Sequence, residues 1–188
     1  MEQNLKASSS EFIHLQVTVD TDMLIGKYRS QLKNTSPDNP FMINDNFFYA
    51  VVSTNAAISG QGTSNIKFAA VKDDKLRVYA TSEYGNLDNP VLIYNIHKLS
   101  GDDILKNFQS HKTSKVAVQP CNPDEAHPEK VLPPVYTEMA FWYFEASVAN
   151  KGKESFTFHF ALYERVRTQD NPQLIGYFKW DPTIQVDR

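Results

Sequence analysis

The chain has 188 residues, 41% of them hydrophobic and 12% aromatic, which is enough for one buried core and short for two domains. Its formal net charge is -3 with acidic and basic residues interspersed, so no basic stripe marks it for nucleic acid. No run approaches the roughly 18 apolar residues of a membrane span, no apolar segment follows the first charges as in a signal peptide, and the lone Cys121 excludes an internal disulfide. These features predict a soluble cytoplasmic protein that has neither nucleic acid nor membrane as a partner.

Residues 1 to 11 are polar and serine-rich, as expected of a flexible tail ahead of a single domain over 12 to 188. In "FIHLQVTVD", Ile13, Leu15, Val17 and Val19 alternate with His14, Gln16 and Thr18, the period of a half-buried strand. "TDMLIGKYRSQL" reads as a short helix or an irregular loop opening at Asp20 or Asp22, with Gly26 opposing a longer helix. After the turn "NTSPDNP", the run "FFYAVVS", which contains Phe48, is apolar on both faces and predicts a central strand or one covered at an interface. Ile66, Phe68 and Ala70, then Leu76, Val78 and Ala80, predict a hairpin turning at Asp73 and Asp74. "VLIYNIHKL" is a further strand, and "SGDDILKNF" admits a helical turn behind Ser100.

"KVAVQP" reads as a short strand ended by Pro120, and the proline-rich stretch to Pro134 as an extended excursion. "MAFWYFEASV" sets Phe141 and Tyr143 on one face and Trp142 and Phe144 on the other. "SFTFHFALYERV" points Phe156, Phe158, Phe160 and Leu162 inward. In "GYFKWDP", Phe178 and Trp180 share parity with Leu174, Gly176, Ile184 and Val186 and belong to the core, while Tyr177, Lys179 and Asp181 face outward. Pro182 cannot donate to a ladder and implies an edge or a bulge. The whole predicts an all-β fold, a β-sandwich of jelly-roll or immunoglobulin-like type with roughly eight to ten antiparallel strands and one or two short helices.

The carboxylates that carry chemistry in this pattern are few. Asp20 and Asp22 stand together, and Asp45, Asp73, Asp74 and Asp181 are available to join them in space around a calcium ion, most directly Asp181. No twelve-residue calcium loop supports this, and helix capping by Asp20 or Asp22 competes with it. Asp181 before proline also suits a turn cap. His14, His97, His111, His127 and His159 have no paired zinc spacing, and Cys121 with His127 lacks an orienting third group. Aromatics beside carboxylates are what sugar-binding sandwiches use. Tyr79, Tyr84, Tyr177 and Trp142 are available for that, so a glycan reading rests on Asp20, Asp22, Tyr177 and Asp181. Filling a core or a subunit interface is the competing role of those rings.

Taken in order, "VTVDTDMLI", "SGQGTSNIKFAAVKDDKLRVYATS", "VLIYNI", "FWYFEASV" and above all "GYFKWDPTIQV" resemble the bacterial AidA/PixA inclusion body proteins, over nearly the whole chain from Ile13 to Val186. The resemblance implies small bacterial proteins associated with intracellular inclusions or density-regulated expression, with no established catalytic activity and no catalytic residues to transfer. Two departures stand out. The chain has only four methionines, against a methionine-storage role, and Val78 and Tyr79 follow Arg77 where family members often carry a tryptophan.

The leading expectation is therefore a non-enzymatic protein that forms a homodimer, or larger self-assemblies, and accumulates in inclusions. Phe48, Phe141 and Tyr143 are the candidate contacts, because their strands have two apolar faces. No cofactor is expected beyond the calcium just weighed. The alternative is a carbohydrate-binding module, and a hydrolase, with a histidine meeting a nucleophile, is the distant third.

Overall fold

The computed structural model describes residues 11–44, 46–53, 55–122 and 126–187. Asp45 and the first ten residues lie outside them, so the tail and that one candidate ligand have no structural account.

In chain order the elements are β1 (Phe12–Val19), α1 (Thr21–Leu32), β2 (Phe41–Met42), β3 (Phe48–Val52), β4 (Ala57–Ser59), β5 (Asn65–Ala69) and β6 (Lys75–Ser82). The chain continues through β7 (Val91–Gly101), β8 (Leu105–Gln119), β9 (Val135–Val148), β10 (Gly152–Glu164), β11 (Gln173–Trp180) and β12 (Thr183–Asp187). The fold is mostly strand with one helix among the described residues, and no helix there is long and apolar enough to cross a membrane.

The strands form a five-stranded sheet, ordered β3-β1-β6-β9-β8, and a seven-stranded sheet in which β10 is flanked by β7 on one side and by β11 and β12 on the other. Both sheets are mixed. The pairs β1 with β6, β2 with β11 and β5 with β12 are parallel, which corrects the expectation of antiparallel strands throughout. Side-chain alternation has the same period in either pairing, so it predicts strands without predicting their direction. Twelve strands also exceed the expected eight to ten among the described residues, because β2 and β4 are too short to show a period.

Two predicted local structures are replaced. β5 and β6 are not a hairpin, since β5 pairs with β4 and β12 in one sheet while β6 pairs with β1 and β9 in the other. The Asp73–Asp74 turn is a crossing between sheets, secured by the buried Asp74 carboxylate, which accepts the backbone N–H groups of Glu11 and Val71. The segment after Ser100 is likewise no helical turn. There the Ile104 and Leu105 N–H groups donate to the buried Glu154 carboxylate of β10, which leads the chain straight into β8. α1, by contrast, runs twelve residues through Gly26, capped by the Asp20 carboxylate on the Met23 N–H and held at its first turn by Glu83, which accepts from Thr21 and Asp22.

One hydrophobic core draws on both sheets and on Leu24 and Leu32 of α1. Phe48 of the five-stranded sheet stacks on Trp180 of the seven-stranded sheet at 4.6 Å between ring centroids, with Phe178 at 5.9 Å and Phe160 at 6.0 Å. Phe178, Trp180, Ile184 and Val186 are all buried, as parity predicts. Leu174 is not, because a register shift between Leu162 and Tyr163 breaks the alternation at that end of β11. The segment Asp181–Pro182 separates β11 from β12, and the Pro182 carbonyl accepts the Phe156 N–H.

β3 is an edge strand, not a central one. Phe48, Ala50 and Val52 face the core while Tyr49 and Val51 are exposed. The β8–β9 hairpin is the longest pairing in the molecule, running from Leu105 opposite Val148 to Gln119 opposite Val135. β6 supports β9 only from Phe144 to Ser147, so the rest of the hairpin stands out as a two-stranded ribbon.

Candidate functional site

Four adjacent strands bring four rings into a row on the outward face of the five-stranded sheet. His14 of β1 stacks on Tyr79 of β6 at 5.6 Å, Tyr79 meets Tyr143 of β9 at 5.4 Å, and Tyr143 stacks on His111 of β8 at 5.3 Å. Register is the cause. His111 lies directly opposite Tyr143, and Arg77 lies opposite Glu145, so residues of one parity on each strand converge on one face. Arg77 Nε donates to Glu145 Oε2 at 2.8 Å, and the guanidinium lies 3.8 Å from the centre of the Phe12 ring and 4.9 Å from that of Tyr143.

Beside this row runs a groove of about 290 Å³ lined by Arg77, Tyr79, Thr113, Lys115, Phe141 and Tyr143. Its electrostatics are positive. Burial holds the His14 ring below its ordinary 6.5, and the charges of Arg77 and Lys115 push it the same way. Burial raises the Tyr79 hydroxyl above its ordinary 10.0, outweighing the opposing pull of Arg77, so the phenol keeps its proton at neutral pH. His14 Nδ1 and the Tyr79 hydroxyl are 3.0 Å apart. Flat apolar walls, hydroxyl groups and cations equip this surface to bind. It presents no activated nucleophile.

A second aromatic cluster lies on the outward face of the seven-stranded sheet. Tyr94 meets His159 and Tyr177 edge-on, each at 5.7 Å, and His97 meets His159 at 4.9 Å. Burial pushes the Tyr94 hydroxyl up to about 12, and it donates to the Pro37 carbonyl. Burial also lowers His159 below 6.5, aided by His97 and Lys179 and opposed by Asp181. Here the rings pack edge-on against one another.

The comparisons with known proteins bear on the whole of this architecture. The family described as "Inclusion body protein", PixA, matches residues 11–186. The chain belongs to the PixA inclusion body protein family. A PixA crystal structure from Burkholderia cenocepacia J2315 superposes with a TM-score of 0.78, covering 98% of this chain and 100% of that one at 22% identity, a likeness of fold. The solution structure of Amebosin aligns over 65% of this chain and 88% of its own at 11% identity with a TM-score of 0.17, too low to imply a common fold. No curated protein matches the chain.

In this PixA member the predicted calcium and glycan residues do not come together. Asp20 caps α1, and Asp22 accepts from the Tyr84 hydroxyl and the Asn89 amide. Asp181 stands at the β11–β12 junction near His159, with its Oδ1 buried and without a hydrogen-bond partner, so that atom makes no turn cap. Among the described residues no three His, Cys, Asp or Glu side chains group as metal ligands. Tyr177 packs edge-on against Tyr94, and its backbone N–H donates to Thr35, so it is half-buried in its own cluster. His14 and His97 have the Tyr79 hydroxyl and the Asn95 amide as partners, not a serine or cysteine.

The self-association residues separate as well. Phe48 is only 3% exposed and lies between the sheets, so it is a core residue and not a contact for a second copy. Phe141 and Tyr143 do face outward, in the groove. Sequence reading missed Arg77, Thr113 and Lys115, which become neighbours only through register. It also missed Val116, Val118 and Tyr136, for which the alternation in "KVAVQ" was the available signal.

Proposed function

We propose that the protein is a non-enzymatic, cytoplasmic β-sandwich that assembles with copies of itself through the β8–β9 ribbon and accumulates in inclusions. The observation that carries this reading is a strip of apolar side chains on the ribbon's core-facing side. Directly opposed residues share a face, so Trp142, Glu138 and Tyr136 of β9 line up with Lys112, Val116 and Val118 of β8. At the root this face is covered. Phe144 is buried, and Trp142 Nε1 donates to the Ile93 carbonyl of the opposite sheet. Farther out none of the described residues covers it, leaving Val116, Tyr136 and Val118 exposed at 71%, 70% and 68%. A surface that is core on one side of a line and bare on the other is the kind a partner covers.

Two-fold pairing of identical strips is the simplest closure, since each ribbon supplies the face the other lacks. The family description, inclusion body protein, agrees with a chain that accumulates through its own contacts. Light scattering on size-separated protein across a dilution series tests the reading. The full chain gives a mass above its 21.4 kDa at high micromolar concentration, and Val118→Lys with Tyr136→Lys returns it to 21.4 kDa. A parent chain that stays monomeric at that concentration overturns the proposal.

A further inference from the structure

We propose that the groove on the outward face of the five-stranded sheet binds a small planar aromatic anion, a carboxylate on one or two rings, with Lys115 as its charge partner. This goes beyond the assembly reading and does not rest on it, because the groove and the apolar strip occupy opposite faces of the ribbon. Thr113, Lys115, Phe141 and Tyr143 point one way, while Val116, Val118 and Tyr136 point the other.

The choice of ligand follows from what the groove has left unpaired. Its two fixed cations differ. Arg77 is held by Glu145 and sandwiched between the Phe12 and Tyr143 rings, so its charge is already answered. Lys115 has no ion pair among the described residues, yet its charge is felt inside the site, where it acts on His14 together with Arg77. An incoming anion completes Lys115 without displacing any internal pair.

The walls decide the rest of the ligand. Phe141 lies directly opposite Thr113 and two residues from Tyr143, so an exposed ring, a hydroxyl and a half-buried phenol line one side, with Tyr79 and its retained proton on the other. Rings stack on such walls, and the hydroxyl groups supply donors to a carboxylate. A volume of about 290 Å³ sits at the small end of ligand pockets, suiting one or two fused rings and excluding a long chain. A neutral sugar fits less well. Sugars call for free carboxylate acceptors, and the one carboxylate at this site, Glu145, is committed to Arg77.

The test is isothermal titration of the full chain with three probes: 2-naphthoate, the neutral 2-naphthalenemethanol with the same rings, and hexanoate with the same charge and no ring. 2-Naphthoate binds saturably at one per chain, and each of the other two binds about tenfold more weakly or worse. Lys115→Gln weakens 2-naphthoate by about tenfold. Val118→Lys, on the opposite face, leaves its affinity unchanged while altering the assembly state, so the two readings fail separately. Lys115 is exposed and bears on no core packing, and a circular dichroism spectrum matching the parent confirms that the variant is folded. The proposal is overturned if 2-naphthoate does not bind at millimolar concentration, if the neutral alcohol binds as tightly, if Lys115→Gln changes nothing, or if Val118→Lys abolishes binding.

Discussion

The same substitution at two glycines should move stability in opposite directions. Gly176 lies in β11 against the end of α1, and an added Cβ would sit 2.2 Å from the Leu32 carbonyl oxygen, 2.7 Å from its carbon and 2.9 Å from its Cβ. Ordinary contact begins at 3.4 Å, so helix and strand must part by about 1.2 Å. They are tied together at that point. The Tyr177 N–H donates to Thr35 Oγ1, which in turn donates to the Leu32 carbonyl. Forcing a methyl into a filled site costs about 1–3 kcal/mol, and loosening that hydrogen-bond pair adds about 1 kcal/mol, so Gly176→Ala loses about 2–4 kcal/mol. At about 2–4 °C per kcal/mol for a chain of this size, Tm falls by roughly 5–15 °C. Gly26 lies mid-helix, exposed, with nothing within 4 Å of its would-be Cβ. There alanine gains about 0.5–1 kcal/mol from backbone entropy and raises Tm by roughly 1–4 °C. Calorimetric melting of both variants beside the parent is the assay. A Gly176→Ala protein melting at or above the parent would refute the close approach of α1 and β11, since alanine is otherwise the better strand residue.

Phe48→Ala removes a ring that touches Trp180, Phe178 and Phe160 across the core, and should cost about 3–5 kcal/mol in urea denaturation. The transition should remain single, because one core joins both sheets, and a first step that leaves the seven-stranded sheet intact would contradict that. Acidification should destabilise the fold. His14 and His159 are both held below 6.5, chiefly by burial, so from about that pH downward the unfolded chain binds more protons and stability falls until the folded rings also titrate. Urea midpoints at pH 7.5 and pH 5.5 test the sign, and His159→Gln should flatten the difference; a midpoint that rises on acidification, or an NMR titration placing His159 above 6.5, would reverse the argument. Glu164, held below its ordinary 4.5 mainly by its hydrogen bond from Arg29, adds a further loss only at lower pH.

Parity was the legible part of this sequence. Period-two alternation placed Ile13, Leu15, Val17, Val19, Phe156, Phe158, Phe160, Leu162, Phe178, Trp180, Ile184 and Val186 in the core, since it reflects the pleat of a strand, but it also read Thr157 as outward, where the structure buries it. Sheet membership was not legible. β5 and β6 have the composition of a hairpin, yet the buried Asp74 carboxylate turns the chain from one sheet to the other, and a single side chain among several aspartates carries no sequence signal for that. The groove was hidden for a related reason. Arg77, Lys115 and Tyr143 are widely separated in the chain and meet only through register across three strands, whereas the neighbouring Asp20 and Asp22 drew notice and hold the helix cap and hydrogen bonds to Tyr84 and Asn89.

The edges of the five-stranded sheet bear on how copies of this chain would meet. Open-ended strand addition needs an inviting edge, and among the described residues both edges carry features that work against it. Along β3, the Gln61 side chain bonds both the N–H and the carbonyl of Val52, and the Gly62 N–H donates to the Ala50 carbonyl, so a loop already occupies part of that ladder. Along β8, the register breaks between Lys106 and Gln109 with Asn107 at φ 60°, and Lys106, Lys112 and Lys115 place charge along the strand. Bulges and lysines are how natural sheets discourage pairing through an edge. A face of the ribbon is left uncovered among the described residues, the strip of Val116, Val118 and Tyr136. Contact through that strip consumes it on both partners at once, so it favours a closed unit of defined size over a fibre. If copies assemble as proposed above, an inclusion of this protein would pack discrete assemblies side by side and would not extend a sheet.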